Sequence, residues 1–262
     1  MLAMDKKVYI KNRQSERIAV VVRIHDTARG CAVVQHGLAG SKDEKHIAAA
    51  ARVFFDAGYT TVLFDATNTY GESDGTIEQS TMTKHYEDLE DVIAWMRTEP
   101  WCHGKLVLAG HSMGGYAVTR FAEIYPNDVA AVFPLSPVVS GALTLAAHEL
   151  YEPGYIQHWK ETGWREDRSI SNPERVRRLP WSHMEDRLTH DLLPDALKLT
   201  MPVHIIVGDT DRISTVDHMR TLFDALPGVK SLHIIPNCAH VYRTDAQIEL
   251  MSEAIQRELK GL

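Results

Sequence analysis

Cysteine is scarce in this 262-residue chain: three residues, Cys31, Cys102 and Cys238, stand far apart. An odd number without close spacing excludes a disulfide framework. Neither a C-x-x-C pair nor an H-E-x-x-H motif occurs, so no zinc site is legible and no metal is expected. Long apolar runs are missing too. Nothing approaches the roughly 20 apolar residues that cross a bilayer, and Met1 to Ile10 contains no apolar signal core. These absences together predict a cytoplasmic protein with no membrane span. Positive charge is in deficit: 28 Lys and Arg face 35 Asp and Glu, a formal charge of −7. With a pI of about 6.0 and no basic stripe, the chain does not suit a nucleic-acid partner. The run Arg175-Val176-Arg177-Arg178 is a local exception and reads as a solvated helix face. Internal repeats and low-complexity tracts are absent. What remains is a chain that is 44% hydrophobic, enough for a substantial core in one large domain or a domain with an insertion. Monomer and homodimer are equally compatible with it.

Strands and helices alternate along most of the sequence. Lys6–Lys11 and Arg17–Ile24 read as strands joined by the polar turn Asn12-Arg13-Gln14-Ser15. Apolar or β-branched runs at Cys31–Gln35, Thr60–Phe64, Leu106–Ala109, Val129–Leu135, Val203–Val207 and Ser231–Ile235 predict six more. Between them, apolar residues at helical spacing mark Asp43–Ala57, Met82–Arg97, the stretch from Met113 to Tyr125, Thr215–Leu226 and Thr244–Lys260. This order predicts an α/β protein with a doubly wound, mostly parallel eight-stranded sheet, and an antiparallel edge made by the first two strands. Residues 137–199 break the rhythm. They hold Trp159, Trp164 and Trp181, three of the five tryptophans, with Tyr151, Tyr155 and five prolines, and no clear buried strand. The segment must leave the sheet and return, which predicts a lid inserted into a core of residues 1–136 and 200–262. Its aromatic side chains, Tyr155, Trp159 and Trp164 foremost, are candidate substrate contacts.

The strand Leu106–Ala109 runs into Gly110-His111-Ser112-Met113-Gly114-Gly115 and then into a helix. A G-x-S-x-G turn in that context holds its serine in strained backbone geometry at the carboxyl edge of the sheet. The following helix brings free N–H groups and partial positive charge to the same point. A serine hydroxyl needs a base to take its proton, and the base needs an acid to fix its tautomer. On such a sheet the chain order is serine, acid, histidine. Two carboxylates, Asp209 and Asp211, follow Val203–Val207; Asp211 lies farther into the loop and is the candidate acid, while Asp209 suits the turn. Of the later histidines, His218 falls on a helix and His233 within a strand. His240 lies on a connection at the correct edge and is the candidate base. An oxyanion hole requires two amide donors: that of Met113, and that of Leu38 in the loop His36-Gly37-Leu38-Ala39-Gly40. His36 reads as a loop-organising residue, and His111 as a packing and hydrogen-bonding one.

In these residues the chain resembles the α/β-hydrolase superfamily, specifically the small feruloyl (cinnamoyl) esterase and monoacylglycerol-lipase-like branch. The shared positions are His36-Gly37-Leu38, Gly71-Glu72-Ser73-Asp74-Gly75, the elbow around Ser112, Gly208 with Asp211, and Ala239-His240. The resemblance implies a Ser112-Asp211-His240 triad, Leu38 and Met113 as oxyanion donors, a lid, and no cofactor. One departure stands out: relatives usually carry an arginine–glycine–histidine–glycine run before Gly71, where this chain has Ala66-Thr67-Asn68-Thr69-Tyr70. The expected activity is that of a serine carboxylic-ester hydrolase (carboxylesterase), acting through an acyl-enzyme on small-to-medium esters, feruloyl or aryl or short-chain acyl. Thioesterases, lipases and peptidases share the fold and remain alternatives, as does, more distantly, a non-catalytic binding protein on a hydrolase fold.

Overall fold

The computed structural model describes residues 5–168 and 176–262. Met1–Met4, Pro173 and Arg175 of the basic run lie outside the described residues. The elements follow in chain order: β1 (Asp5–Lys11), β2 (Arg17–Arg23), β3 (Cys31–Gln35), α1 (Lys45–Asp56), β4 (Thr60–Asp65), α2 (Met82–Met96), β5 (Leu106–His111), α3 (Met113–Ile124) and β6 (Val129–Leu135). Next come α4 (Gly141–Tyr151), α5 (Tyr155–Thr162), β7 (Trp164–Arg168), β8 (Val176–Pro180) and α6 (Trp181–Leu188). The chain then continues through β9 (Val203–Gly208), α7 (Val216–Ala225), β10 (Lys230–Ile235) and α8 (Asp245–Leu259).

Among the described residues, eight strands form one sheet in the order β1-β2-β4-β3-β5-β6-β9-β10. The β1–β2 and β2–β4 pairs are antiparallel and every other pair is parallel. This is the α/β-hydrolase fold. Its central strands are apolar throughout because both faces are covered. Neighbouring side chains go to opposite sides: Val33 and Leu108 pack with α2, α3 and α7, whereas Val34 and Ala109 pack with α1 and α8. Helix starts are set by threonines. The hydroxyls of Thr81, Thr215 and Thr244 accept from the amides of Lys84, His218 and Gln247, and in α8 the Thr244 amide in turn donates to Gln247 Oε1. The chain reverses its direction of travel across the sheet between β3 and β5. The loops following these two strands diverge there and leave a crevice at their carboxyl ends.

The excursion between β6 and β9 contains α4, α5, α6 and a two-stranded antiparallel hairpin, β7–β8. The hairpin corrects the helical reading of the basic run. Arg177 sits opposite Asp167 and Arg178 opposite Glu166. Ion pairs of 2.6 and 3.1 Å join these cross-strand neighbours. Charge complementarity rather than an apolar face holds this hairpin, so no periodic hydrophobic signal announces it. Among the described residues, no helix is long and apolar enough to cross a membrane.

Candidate active site

Ser112 occupies the turn between β5 and α3 with φ at +56°. A non-glycine residue is strained there and is held by its surroundings. The Ser112 amide donates to the Leu135 carbonyl at 2.9 Å, and its own carbonyl accepts from Tyr116 and Val138 at 3.0 and 3.1 Å. Two glycines make the turn possible by close approach. A Cβ on Gly110 would lie 2.2 Å from the Gly114 carbonyl oxygen, and one on Gly114 would lie 2.4 Å from that of His36. The side chain of Ser112 is thereby delivered to the crevice, with the residue 7% exposed.

The candidate acid and base arrive on the loops after β9 and β10. Asp211 is buried, and its Oδ1 accepts from the amides of Ile213 and Ser214 at 2.8 and 2.9 Å. Its Oδ2 accepts from His240 Nδ1 at 2.8 Å. A carboxylate has no proton to give, so Nδ1 carries the hydrogen and Nε2 keeps its lone pair. That lone pair receives the Ser112 hydroxyl at 2.8 Å. Asp209 does separate work: its Oδ1 accepts from the Cys238 amide at 3.1 Å, tying the two loops together. His111 donates from Nε2 to the His240 carbonyl at 2.7 Å, so the elbow also holds the base's backbone. His218 and His233 stand away on α7 and β10, the latter paired with Glu258 at 2.7 Å.

The loop after β3 presses on the serine. A Cβ on Gly37 would fall 2.9 Å from Ser112 Cβ. Leu38 follows directly in this loop, and Met113 is the first residue of α3, whose amide has no preceding helical turn to bond. His36 organises the loop. Its Nε2 accepts from the Ala66 amide at 3.0 Å, so Nδ1 carries the proton and donates to the Gly37 carbonyl at 2.7 Å. Burial holds this imidazole below the ordinary histidine range, in the neutral form those bonds require.

The wall that departs from the related pattern has its own support. The Asp88 carboxylate accepts from the amide and hydroxyl of Thr67 at 2.6 and 2.8 Å. Asp65 accepts from the Lys42 amide and ammonium and from the Glu72 amide at 2.7, 3.0 and 2.8 Å. Gly71 crosses so near that a Cβ would lie 2.1 Å from the Asp65 carboxyl carbon.

Trp159 and Tyr155 lie on α5 in a cluster with Ile77, Leu179, Met184 and Trp181, packed against Leu38 and Ala39. The excursion therefore sits on the loop beside Ser112. Trp159 is buried, donates from Nε1 to the Leu179 carbonyl at 3.1 Å, and stacks on His183 with ring centroids 6.3 Å apart. Trp164 stands apart on β7, beneath the Arg178 guanidinium at 4.0 Å. Sequence reasoning passed over Arg187 on α6, which reaches Met113 Sδ from this side, and His183, which bonds to Arg187. Their i, i+4 spacing puts them on one helix face, a faint signal. Among the described residues, no three His, Cys, Asp or Glu side chains converge as a metal would need.

A family model described as "Serine aminopeptidase, S33" matches residues 26–247, and the chain belongs to that family of serine hydrolases. The mouse protein named palmitoyl-protein thioesterase ABHD10, mitochondrial, is 24% identical over 159 residues. That match covers 60% of this chain and 50% of the relative, so the chain spans about half the length of the curated relatives it matches. Est1E from Butyrivibrio proteoclasticus, solved with ferulic acid bound, superposes with a TM-score of 0.81 at 22% identity, covering 97% of this chain and 98% of that one. The mouse alpha/beta hydrolase domain-containing protein 10 structure superposes at 0.80 with 19% identity, over 98% of this chain and 99% of that one. At these identities the superpositions establish the fold alone.

Proposed function

We propose that this hydrolase is a serine carboxylesterase that works through an acyl-enzyme, with Ser112 as nucleophile, His240 as base and Asp211 as the acid that orients it. The observation that carries this reading is the unbroken relay Asp211–His240–Ser112, with both bonds at 2.8 Å. His240 Nε2 takes the hydroxyl proton as Ser112 Oγ bonds to the ester carbonyl carbon. The carbonyl oxygen becomes an oxyanion, held by the amides of Met113 and Leu38 at the positive end of α3. The C–O bond to the alcohol then breaks, and His240 returns the proton to the departing alkoxide. Water repeats the sequence on the acyl-enzyme: His240 takes its proton, and the carboxylic acid leaves as Ser112 recovers its hydrogen. The relay needs no cofactor for these steps.

In this reading residues 137–199 are a lid whose Tyr155 and Trp159 cluster closes the crevice above Leu38, and Trp164 braces the lid's hairpin rather than the substrate. The protein acts in the cytoplasm, a compartment that keeps Cys31, Cys102 and Cys238 as the thiols seen here. Small-to-medium esters, feruloyl or aryl or short-chain acyl, are the substrates, by analogy with the ferulic acid bound to Est1E. Acyl thioesters form a second reading, drawn from the name of the mouse relative; the same relay serves a thiolate leaving group. The test is a panel of matched esters, thioesters and amides, with an aryl-ester chain-length series and a feruloyl ester. A serine-directed phosphonate is applied in parallel. Preferred ester turnover with the phosphonate on Ser112 supports the proposal. Labelling elsewhere, or turnover that survives Ser112→Ala, overturns the site; faster thioester than ester turnover overturns the substrate class.

A further inference from the structure

Arg187 on α6 is 5% exposed, yet it has no counter-ion among the described residues. Its Nη2 makes two contacts, donating to His183 Nε2 at 3.1 Å and to Met113 Sδ at 3.4 Å. Both partners are neutral. His183 donates from Nδ1 to the Ser80 carbonyl at 2.7 Å, which leaves Nε2 as a lone pair for the guanidinium. Burial also keeps this imidazole uncharged, pushing it down to about 3. The Nε of Arg187 is buried and has no acceptor among the described residues. The adjacent carboxylate, Asp186, is turned away and engaged by the Met82 amide at 2.7 Å and the Thr83 hydroxyl at 2.6 Å.

The surroundings add positive charge. Burial first, and then the nearby Arg165 and Arg177, lower Arg187 to about 10 against the pull of Asp186, still a cation at neutral pH. These two arginines share one carboxylate, Asp167, at 2.5 and 2.6 Å. Their shared carboxylate makes no ion pair with Arg187. A buried charge without a partner costs several kcal/mol, and an apolar residue of the same size would relieve that cost. The backbone offers no freedom to escape it. A Cβ on Gly141 of α4 would lie 2.0 Å from the Arg187 carbonyl oxygen, so the two helices are locked together at this residue.

Position supplies the purpose. Through Met113 the guanidinium touches the residue that follows the nucleophile, and through His183 it touches the Trp159 cluster that packs on Leu38. An ester that reaches Ser112 and extends past Met113 toward the excursion approaches the buried Arg187 guanidinium. A planar guanidinium with an unpaired Nε is matched by a carboxylate, which accepts two parallel N–H bonds. From this arrangement, and resting on the esterase reading above, we infer that Arg187 anchors a carboxylate subsite: the natural substrate is an ester that carries a free carboxylate, and Arg165 and Arg177 supply the field that draws it in.

The test compares acidic esters with their neutral matches. Monoethyl esters of succinic, glutaric, adipic and suberic acid place the carboxylate on the acyl side. Acetyl esters of ω-hydroxy acids, such as γ-acetoxybutyrate, place it on the alcohol side. Each is paired with the ester in which a methyl group replaces the carboxylate. We expect at least one acidic ester to exceed its match in kcat/KM by about tenfold to a hundredfold, the span of a hydrogen bond to a charged group. The gain should appear mainly in KM and shrink with added salt. The series that shows the gain identifies which side of the ester carries the acid. Arg187→Met should bring that ratio to about one, and Arg187→Lys should keep part of it. A second measurement is independent of turnover: calorimetry of the Ser112→Ala protein with monoethyl adipate and with diethyl adipate. Tighter binding of the monoacid that Arg187→Met abolishes supports the subsite even if the esterase reading fails, which phosphonate labelling of Ser112 reports separately. Equal or weaker binding of the monoacid, or a preference that survives Arg187→Met, overturns it.

Discussion

Asp211→Asn tests the relay most sharply, because the structure dictates how the new amide must sit. The Oδ1 position is fixed by two amide donors, Ile213 and Ser214, at 2.8 and 2.9 Å. Only an oxygen can occupy it, since an NH₂ group would face two N–H groups in a buried pocket. The amide nitrogen must therefore take the Oδ2 position, 2.8 Å from His240 Nδ1. There it donates, so Nδ1 becomes the acceptor and the ring proton moves to Nε2. That proton then points at Ser112 Oγ, and the base has no lone pair for the hydroxyl. Loss of the correct tautomer costs on the order of 10⁴ in kcat, or about 5.4 kcal/mol at 1.36 kcal/mol per decade. The assay is steady-state turnover of a short aryl ester, beside phosphonate labelling of Ser112, which must slow in parallel. Thermal unfolding checks the fold, because the two backbone bonds to Oδ1 survive the substitution. The exposed Asp209, whose carboxylate accepts from the Cys238 amide, is the control. A loss below about tenfold in a folded Asp211→Asn protein, or a larger loss in Asp209→Asn, would refute the assignment.

Two further expectations follow from the same geometry and from the buried charges. Ser112→Ala and His240→Ala should each lower kcat by about 10⁴ or more, and the double variant should be little worse than either, because one proton transfer links the pair; additive losses in steady-state assays would break the relay. Stability should fall in acid. Burial pushes His85 and His183 down to about 3 and His46 and His148 down to about 4, from the ordinary 6.5. Between those values the unfolded chain binds the protons and the folded one does not. Stability is therefore complete above about 6.5 and is lost as the pH falls, by up to about 1.4 kcal/mol per pH unit for each histidine. Glu123 acts in the opposite sense: burial raises it to about 8, so its contribution is present in acid and is lost as the pH climbs from 4.5 through 8. Thermal melts across this range should show both limbs, and Glu123→Gln should flatten the alkaline one; a melting temperature indifferent to pH from 4 to 7 would contradict the first.

Much of this architecture could be read before any coordinates, and the reason is physical. Runs such as Cys31–Gln35 and Leu106–Ala109 are buried on both faces, so their composition alone marks them as central strands. Helix limits were legible to within a residue or two where a threonine caps the start, as at Thr215 and Thr244. The sheet's connectivity then places Ser112, Asp211 and His240 at one edge, since each follows the carboxyl end of its own parallel strand. The excursion was not legible in this way. Its β7–β8 hairpin pairs Glu166 with Arg178 and Asp167 with Arg177, and carries no alternating apolar face. Helix α4, Gly141–Tyr151, is apolar nearly all round, so its sequence shows no stripe by which to recognise it.

The same contrast separates the chemistry from the substrate. The hydrogen-bonded chain Asp211–His240–Ser112 is built at strand ends, where sequence order and sheet topology bring the three together whatever the excursion contains. In the proposed reading, substrate choice rests on contacts that no local pattern encodes. Met113 and Arg187 touch at 3.4 Å across 74 residues of chain. In the sequence Arg187 is the one Lys or Arg of a short amphipathic helix, beside Asp186 and three residues from His190. Only the fold reveals that Asp186 turns to Met82 and Thr83, that His183 offers a lone pair, and that Arg187 has no ion pair among the described residues. Its unmatched charge becomes visible only when elements distant in the chain are assembled. For this chain, therefore, the decisive question about specificity is what satisfies Arg187 when an ester lies against Ser112.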